Sequence, residues 1–93
     1  MTREEAKRIL DNNNLSNYIW FDNSRNEPNY VGINESENVY EVFATSERGT
    51  PSGIKVFSSE EEALTNFISR VESLNRLLKK ISKWFLDYEH FRS

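Results

Sequence analysis

The 93-residue chain contains no cysteine, only three glycines, two prolines and one histidine. The absence of cysteine excludes a disulfide framework and thiolate zinc sites, and it fits a cytosolic protein. No apolar run approaches the roughly 20 residues of a membrane-spanning helix. The opening segment is charged from Arg3 onward, so we expect neither a signal peptide nor a membrane partner.

The residues that are present predict one small folded domain over 1–93. Charged residues make up 29% of the chain, but twelve aromatic rings, a 13% share, argue against disorder and supply core mass. The net charge of −3 is unevenly spread. Six acids and two bases lie between Trp20 and Thr50, whereas five bases and one acid lie between Arg70 and Lys83. We therefore expect an acidic end and a basic end.

The patterning predicts an α+β domain of order α-β-β-β-α. A T-x-x-E capping box from Thr2 begins a first helix, and the asparagines after Asp11 end it. Strands are predicted over 30–34, 39–46 and 53–57, as an antiparallel sheet of three strands, or four if the segment 18–22 also pairs. Gly32 marks either a bulge or a close approach of another group.

A long C-terminal helix is predicted over about 59–90. Its apolar residues step by three and four in alternation, as in a heptad repeat: Leu64, Phe67, Val71, Leu74, Leu78, Ile81, Phe85 and Tyr88. The helix exceeds the sheet in length, so its second half covers the first helix, projects, or bends near 79–82. The predicted core is Ile9, Leu10, Trp20, Val31, Ile33, Val42, Phe43, Ile54, Val56, Leu64, Phe67, Ile68, Val71 and Leu74.

No residue pattern indicates catalysis, a cofactor or a metal. The segment "TSERGTPSG", 45–53, lacks the lysine and spacing of a phosphate-binding loop, and its serine is misplaced for a nucleophile elbow. It is interpreted as a connector between strands. His90 has no partner at a metal-ligand spacing and is expected at the surface near the helix end. The basic stretch from Arg76 to Lys83 offers phosphate contacts, but the acidic chain as a whole argues against nucleic acid.

The chain resembles the small α+β immunity proteins of bacterial polymorphic toxin systems, and more narrowly the immunity protein 59 family. The resemblance rests on "TREEAKRILDNN", "YIWFD", "YVGI", "VYEVFATSERG" and "FSSEEEALTNFISRVESLN", and it covers about residues 2–76. It implies a cytoplasmic, non-enzymatic toxin inhibitor that neutralises a cognate toxin domain in a tight protein–protein complex. The tail after 76 is not covered by the resemblance.

The expected partner-binding residues form the acidic region with its aromatic anchor and neighbouring base: Glu35, Glu37, Tyr40, Glu41, Glu47 and Arg48. Acidic side chains would attract a basic toxin, and an aromatic side chain would anchor it. Two alternatives stay open. One is a homodimeric scaffold held by the C-terminal helix, and the other is a small regulatory protein associated with nucleic acid through residues 76–83.

Overall fold

A computed structural model describes residues 1–22 and 27–92, and for 84–92 it describes the backbone alone. The elements are α1 (Arg3–Asn12), β1 (Tyr18–Trp20), β2 (Val31–Ser36), β3 (Val39–Thr45), β4 (Pro51–Phe57) and α2 (Glu60–Arg92). The α+β class is confirmed. The side chains of Phe85, Tyr88 and His90, which entered the sequence predictions, lie outside the described residues.

The sheet has four strands in the order β1-β2-β3-β4, and it is mixed rather than antiparallel. β2, β3 and β4 form an antiparallel meander, but β1 pairs with β2 in parallel. The prediction of a purely antiparallel sheet was therefore wrong at this edge. The cause is the connection from Phe21 to Tyr30, which returns the chain to the same end of the sheet before β2 begins, so that both strands run in one direction.

Both helices begin at a hydroxyl cap, and the cap of α1 is the one that the capping box predicted. The Thr2 hydroxyl accepts a hydrogen bond from the Glu5 backbone N–H at 3.2 Å, and the Ser59 hydroxyl accepts one from the Glu62 N–H at 3.4 Å. α1 ends at the asparagine run, with Asn13 as its C-cap. α2 continues for 33 residues as one α-helix. The helix is therefore unbroken across 79–82, where the sequence left a bend open.

The hydrophobic core lies between one face of the sheet and the two helices. Cross-strand pairs place Val31, Ile33 and Val42 on this inner face. They pack against Ala6 and Leu10 of α1 and against the buried residues of α2, which are Ala63, Leu64, Phe67, Ile68 and Val71. Nine of the predicted core residues are buried, and Ile9, Trp20 and Leu74 are partly buried against them.

Three buried apolar residues were missed by the sequence analysis, and two predicted core residues were wrong. Ala6, Ile19 and Ala63 are buried, whereas Ile54 and Val56 are more than half exposed. Ile54 and Val56 point to the face of the sheet away from the helices, because Val56 pairs with Glu41 rather than with an inward residue. The helix-facing residues of β4 are instead Lys55 and Phe57.

Gly32 is explained by a close approach. A Cβ atom built on Gly32 would lie 2.3 Å from Cζ of Phe43, so the Phe43 ring covers the glycine directly from the neighbouring strand. The bulge occurs elsewhere, in β4. There the register against β3 shifts between Val42 and Ala44, and Gly53 takes a φ of +57°.

Candidate partner-binding surface

The outer face of the β3–β4 half of the sheet is the main exposed apolar surface among the described residues of the sheet. Ile54 and Val56 lie on it two residues apart and are 55% and 57% exposed. Glu41 lies opposite Val56, and Val39 lies two residues before Glu41 on the same face. We call these four residues the open face. It combines an apolar centre with an acidic neighbour.

The apolar side chains on the β1 side of the outer face are covered, in contrast to those of the open face. Ile19 and Phe43 lie on the outer side of β1 and β3 and are 0% and 7% exposed. The end of the β1–β2 connection is fixed beside them, because the Thr45 hydroxyl donates to the Glu27 carbonyl at 2.6 Å and accepts from the Tyr30 N–H at 2.8 Å.

The free edge of β4 is interrupted at Gly53 by a bulge and by a hydrogen bond from a side chain of α2. The Arg70 guanidinium, from α2, donates through Nη1 to the Gly53 carbonyl at 2.9 Å, at the bulge where Gly53 has positive φ. A bulge twists an edge strand, and a side-chain donor occupies an acceptor that another strand would need. The N-terminal half of β4 is therefore poorly suited to pair with an additional strand.

Of the predicted partner-binding residues, Glu35 and Tyr40 lie away from the open face. They pair with each other across β2 and β3 on the helix-facing side. The Glu35 carboxylate forms an ion pair with the Arg3 guanidinium, and Tyr40 packs partly buried against the core. Both side chains therefore make contacts within the fold.

The other four predicted residues fall into two groups at opposite ends of the sheet. Glu37 occupies the tight β2–β3 turn, with φ of +46°, and Glu41 belongs to the open face close to it. Glu47 and Arg48 are exposed in the β3–β4 turn. β3 separates the groups by about 20 Å, given a rise of about 3.3 Å per residue. The six residues therefore do not form one cluster.

The segment 45–53 contains the connector between β3 and β4, as the sequence analysis interpreted it, but the connector is limited to 46–50 because Thr45 ends β3 and Pro51 begins β4. The Ser46 hydroxyl accepts hydrogen bonds from the backbone N–H groups of Arg48 and Thr50, each at 3.2 Å. The Ser46 N–H donates to the Thr50 carbonyl at 2.9 Å, and Gly49 supplies a positive φ of 78°. The hydroxyl of this serine thus organises the turn backbone.

Arg3 ties three elements together on the helix side of the molecule. Its guanidinium binds the carboxylates of Glu60 in α2 and Glu35 in β2, and it lies 3.9 Å from the centre of the Phe21 ring. The hydrogen bond to Glu60 is the main reason why the pKa of Arg3 is raised, and Glu35 adds to it.

Lys7, one turn further along α1, is held in a similar way. It donates to the Tyr18 hydroxyl at 3.0 Å, and this bond raises the pKa of Lys7. A shallow groove along α1 has both bases and acids in its lining: Arg3, Lys7 and Arg8, with Glu4 and Asp11. Two of its three bases already have partners within the chain.

No group of three or more histidine, cysteine, aspartate or glutamate side chains that would suit a metal ion occurs in the described part of the chain. Within residues 1–22 and 27–92, neither helix combines the length and apolar character needed to cross a membrane.

Comparison with known proteins found no matching family model, no matching curated protein and no matching solved structure. The resemblance to immunity proteins therefore stays a prediction from the sequence.

The open face was missed by the sequence analysis, which assigned Ile54 and Val56 to the core. In β4, Ile54 and Val56 lie on one face of the strand, and Lys55 and Phe57 lie on the other. Each face thus carries a large apolar side chain, so alternation alone does not show which face turns toward the core. The charge of Lys55 favoured the prediction that its face of the strand points to solvent and that Ile54 and Val56 point to the core, which was wrong. The deciding fact is that α2 crosses the sheet on the side of Phe57.

Proposed function

We propose that this chain is a non-enzymatic immunity protein that acts in the cytoplasm of the producing bacterium. It binds the toxic domain of a cognate toxin in a tight stoichiometric complex and thereby neutralises it. The sequence resemblance suggests the class, and the open face supports it by offering a surface of the kind that protein partners cover.

The exposure of Ile54 and Val56 is the observation that carries the proposal. Apolar residues make up only 37% of this chain, yet two β-branched side chains face solvent side by side on one strand. A single exposed apolar residue is ordinary, but adjacent ones bordered by polar groups are typical of the centre of a protein–protein interface. A partner that covers both side chains would gain binding free energy from the burial of their apolar surface.

Charge on and beside the open face specifies the partner's chemistry. Glu41 belongs to the face, and Glu37 lies in the turn at its end. Lys55, which lies between Ile54 and Val56 in the sequence, points to the opposite side of the sheet, where its ammonium lies 5.5 Å from the centre of the Phe57 ring. The surface is therefore apolar and acidic, and it fits a basic toxin domain whose association it would accelerate at low ionic strength.

The mode of binding follows from the bulge at Gly53. Since Arg70 occupies the Gly53 carbonyl, a partner strand would find an interrupted row of hydrogen-bonding groups along β4. The toxin is therefore expected to contact the side chains of the open face and not to extend the sheet. Inhibition would arise because the bound immunity protein blocks or distorts the toxin's active site, with no chemistry in this chain.

The test begins with the reading frame that lies upstream of this gene. Its C-terminal domain is expressed in a bacterial host with and without this chain, and growth and complex formation are measured. The proposal predicts growth arrest by the toxin domain alone, full growth with the chain, and a one-to-one complex in solution. An upstream product whose toxicity is unaffected by this chain would overturn the proposal.

The open face is then tested by the double substitution Ile54→Thr and Val56→Thr, which keeps β-branched side chains on the strand. Both residues are already more than half exposed, so the fold should persist. Loss of apolar burial at two sites of this kind is worth about 2 kcal/mol, or about 30-fold in Kd. Lys55→Thr is the matched control, because Lys55 is exposed on the same strand but points to the opposite side of the sheet. Equal weakening by the two variants would remove the open face from the interface.

A further inference from the structure

Asn34 in β2 has a hydrogen-bond acceptor that the described part of the fold does not use. Its side-chain Oδ1 is shielded from solvent, yet no donor among residues 1–22 and 27–92 binds it. Buried polar atoms are nearly always paired, because an acceptor that loses water without gaining a donor costs folding free energy. The stability of the fold therefore does not explain this amide.

The register of the sheet places Asn34 on the outer face, beside the open face. Asn34 pairs with Glu41 across β2 and β3, and Glu41 in turn pairs with Val56 across β3 and β4. Directly opposite residues share one face of a sheet, with their Cβ atoms about 4.5–5.5 Å apart. The unpaired oxygen thus lies in a row of three side chains that ends at an exposed apolar residue.

Glu41 supplies a second acceptor in this row. The ion pairs between described residues engage other carboxylates and leave that of Glu41 without a cation. Lys55 does not supply one, because it pairs with the inward residue Val42 and points to the other side of the sheet. We call Asn34 Oδ1 and the Glu41 carboxylate the acceptor pair. Neither has a donor within the part of the chain that the structure describes.

Two adjacent acceptors of this kind suit a cation with many donors. A guanidinium group carries five N–H donors in one plane and no acceptor, so it can bind a carboxylate with two donors and a neighbouring oxygen with a third. A lysine ammonium is more strongly hydrated and lacks this planar fork. Val56, next in the row, offers an apolar surface for the methylene stem of such a side chain.

We propose that the acceptor pair of Asn34 and Glu41 is the binding site for an arginine side chain of the protein partner. The inference rests on the proposed function and names the group of the toxin domain that the open face recognises. Asn34 determines specificity, because an arginine satisfies its Oδ1 whereas an apolar side chain leaves it unpaired. Binding requires a change of rotamer at Asn34 or Glu41, and both side chains are only partly covered.

The free chain provides the first test, by urea denaturation. Asn34→Leu keeps the approximate size of the side chain and removes the unpaired acceptor, so the equilibrium constant for folding should rise about 10-fold. A fall in this constant would show that the fold itself needs the amide, and it would overturn the proposal.

The complex with the C-terminal domain of the upstream reading frame provides the second test. Asn34→Leu should raise Kd by about 10- to 100-fold although it stabilises the free chain. Asn66→Leu is the matched control, because Asn66 also has a shielded Oδ1 without a described donor but lies on α2, beside Phe57. It should leave Kd unchanged. An unaltered Kd for Asn34→Leu, or equal weakening by both variants, would overturn the inference alone, whereas the absence of any complex would overturn the proposed function and the inference with it.

The arginine is identified by a double-mutant cycle with the toxin domain. Its arginines are changed to lysine one at a time, which keeps the charge and removes the planar fork. One of these changes should weaken binding about 10-fold with the wild-type chain and have little further effect with Asn34→Leu. If no arginine is coupled to Asn34 in this way, the assignment of a guanidinium to the acceptor pair is wrong.

Discussion

Replacing Gly32 by alanine tests the tightest contact in the sheet. The added Cβ would lie 2.3, 2.7 and 2.9 Å from three ring atoms of Phe43, and all three distances are shorter than a carbon–carbon contact allows. Phe43 is only 7% exposed, so its ring has little space into which to move. Either the ring or the β2–β3 pairing must shift.

The magnitude follows from two opposing effects. Overpacking of a buried site costs about 1–3 kcal/mol. The loss of glycine's freedom in the unfolded chain returns about 0.4–1 kcal/mol. The net destabilisation should be about 1–2 kcal/mol, which lowers Tm by roughly 5–15 °C for a domain of this size. Urea denaturation followed by far-ultraviolet circular dichroism measures it.

A double-mutant cycle isolates the cause. Phe43→Leu removes the far end of the ring, and in that background Gly32→Ala should cost at least 1 kcal/mol less than in the wild type. Additive effects of the two substitutions would refute the argument that the ring is the obstacle. A Gly32→Ala variant as stable as the wild type would refute the close approach itself.

Two further predictions concern the contacts that join the helices to the rest of the fold. Arg3→Met should destabilise the protein by about 1 kcal/mol, because it removes two exposed ion pairs and a cation–π contact, and thermal melts should show the difference shrinking as salt rises. A loss that is unaffected by salt would indicate that packing and not charge makes the contribution. Asn75→Ala should cost about 2 kcal/mol in urea denaturation, because it leaves the Ser16 backbone groups without their partner, whereas the exposed neighbour Arg76→Ala should change stability by less than about 0.5 kcal/mol. Equal effects at the two positions would contradict the role given to Asn75.

Local signals predicted the helices and the meander well, because each depends on residues close together in the sequence. The Thr2 cap, the asparagine stop and the unbroken α2 are of this kind. The turn between β2 and β3 was placed correctly within 35–38. Its two-residue form, with positive φ at both Glu37 and Asn38, is uncommon for glutamate and could not be anticipated.

The direction of β1 and the orientation of β4 depend on distant parts of the chain. Tyr18–Trp20 is apolar and aromatic throughout, so nothing in these three residues distinguishes a parallel from an antiparallel neighbour. β4 presents a similar ambiguity, which only the position of α2 resolves. The open face could therefore not be predicted from the sequence. The acidic residues could be identified from the sequence, but the fold places them apart.

The parallel pairing of β1 has a consequence for how the chain folds. β2, β3 and β4 are joined by short turns, and α2 follows β4 directly, so these elements can assemble from contacts between neighbours in the sequence. α1 and β1 join them through a three-residue strand pair and a helix packed by Ala6 and Leu10. Residues 1–22 can therefore detach while every hydrogen bond within the meander stays intact. We therefore expect amide hydrogen exchange to be faster in residues 1–22 than in the meander.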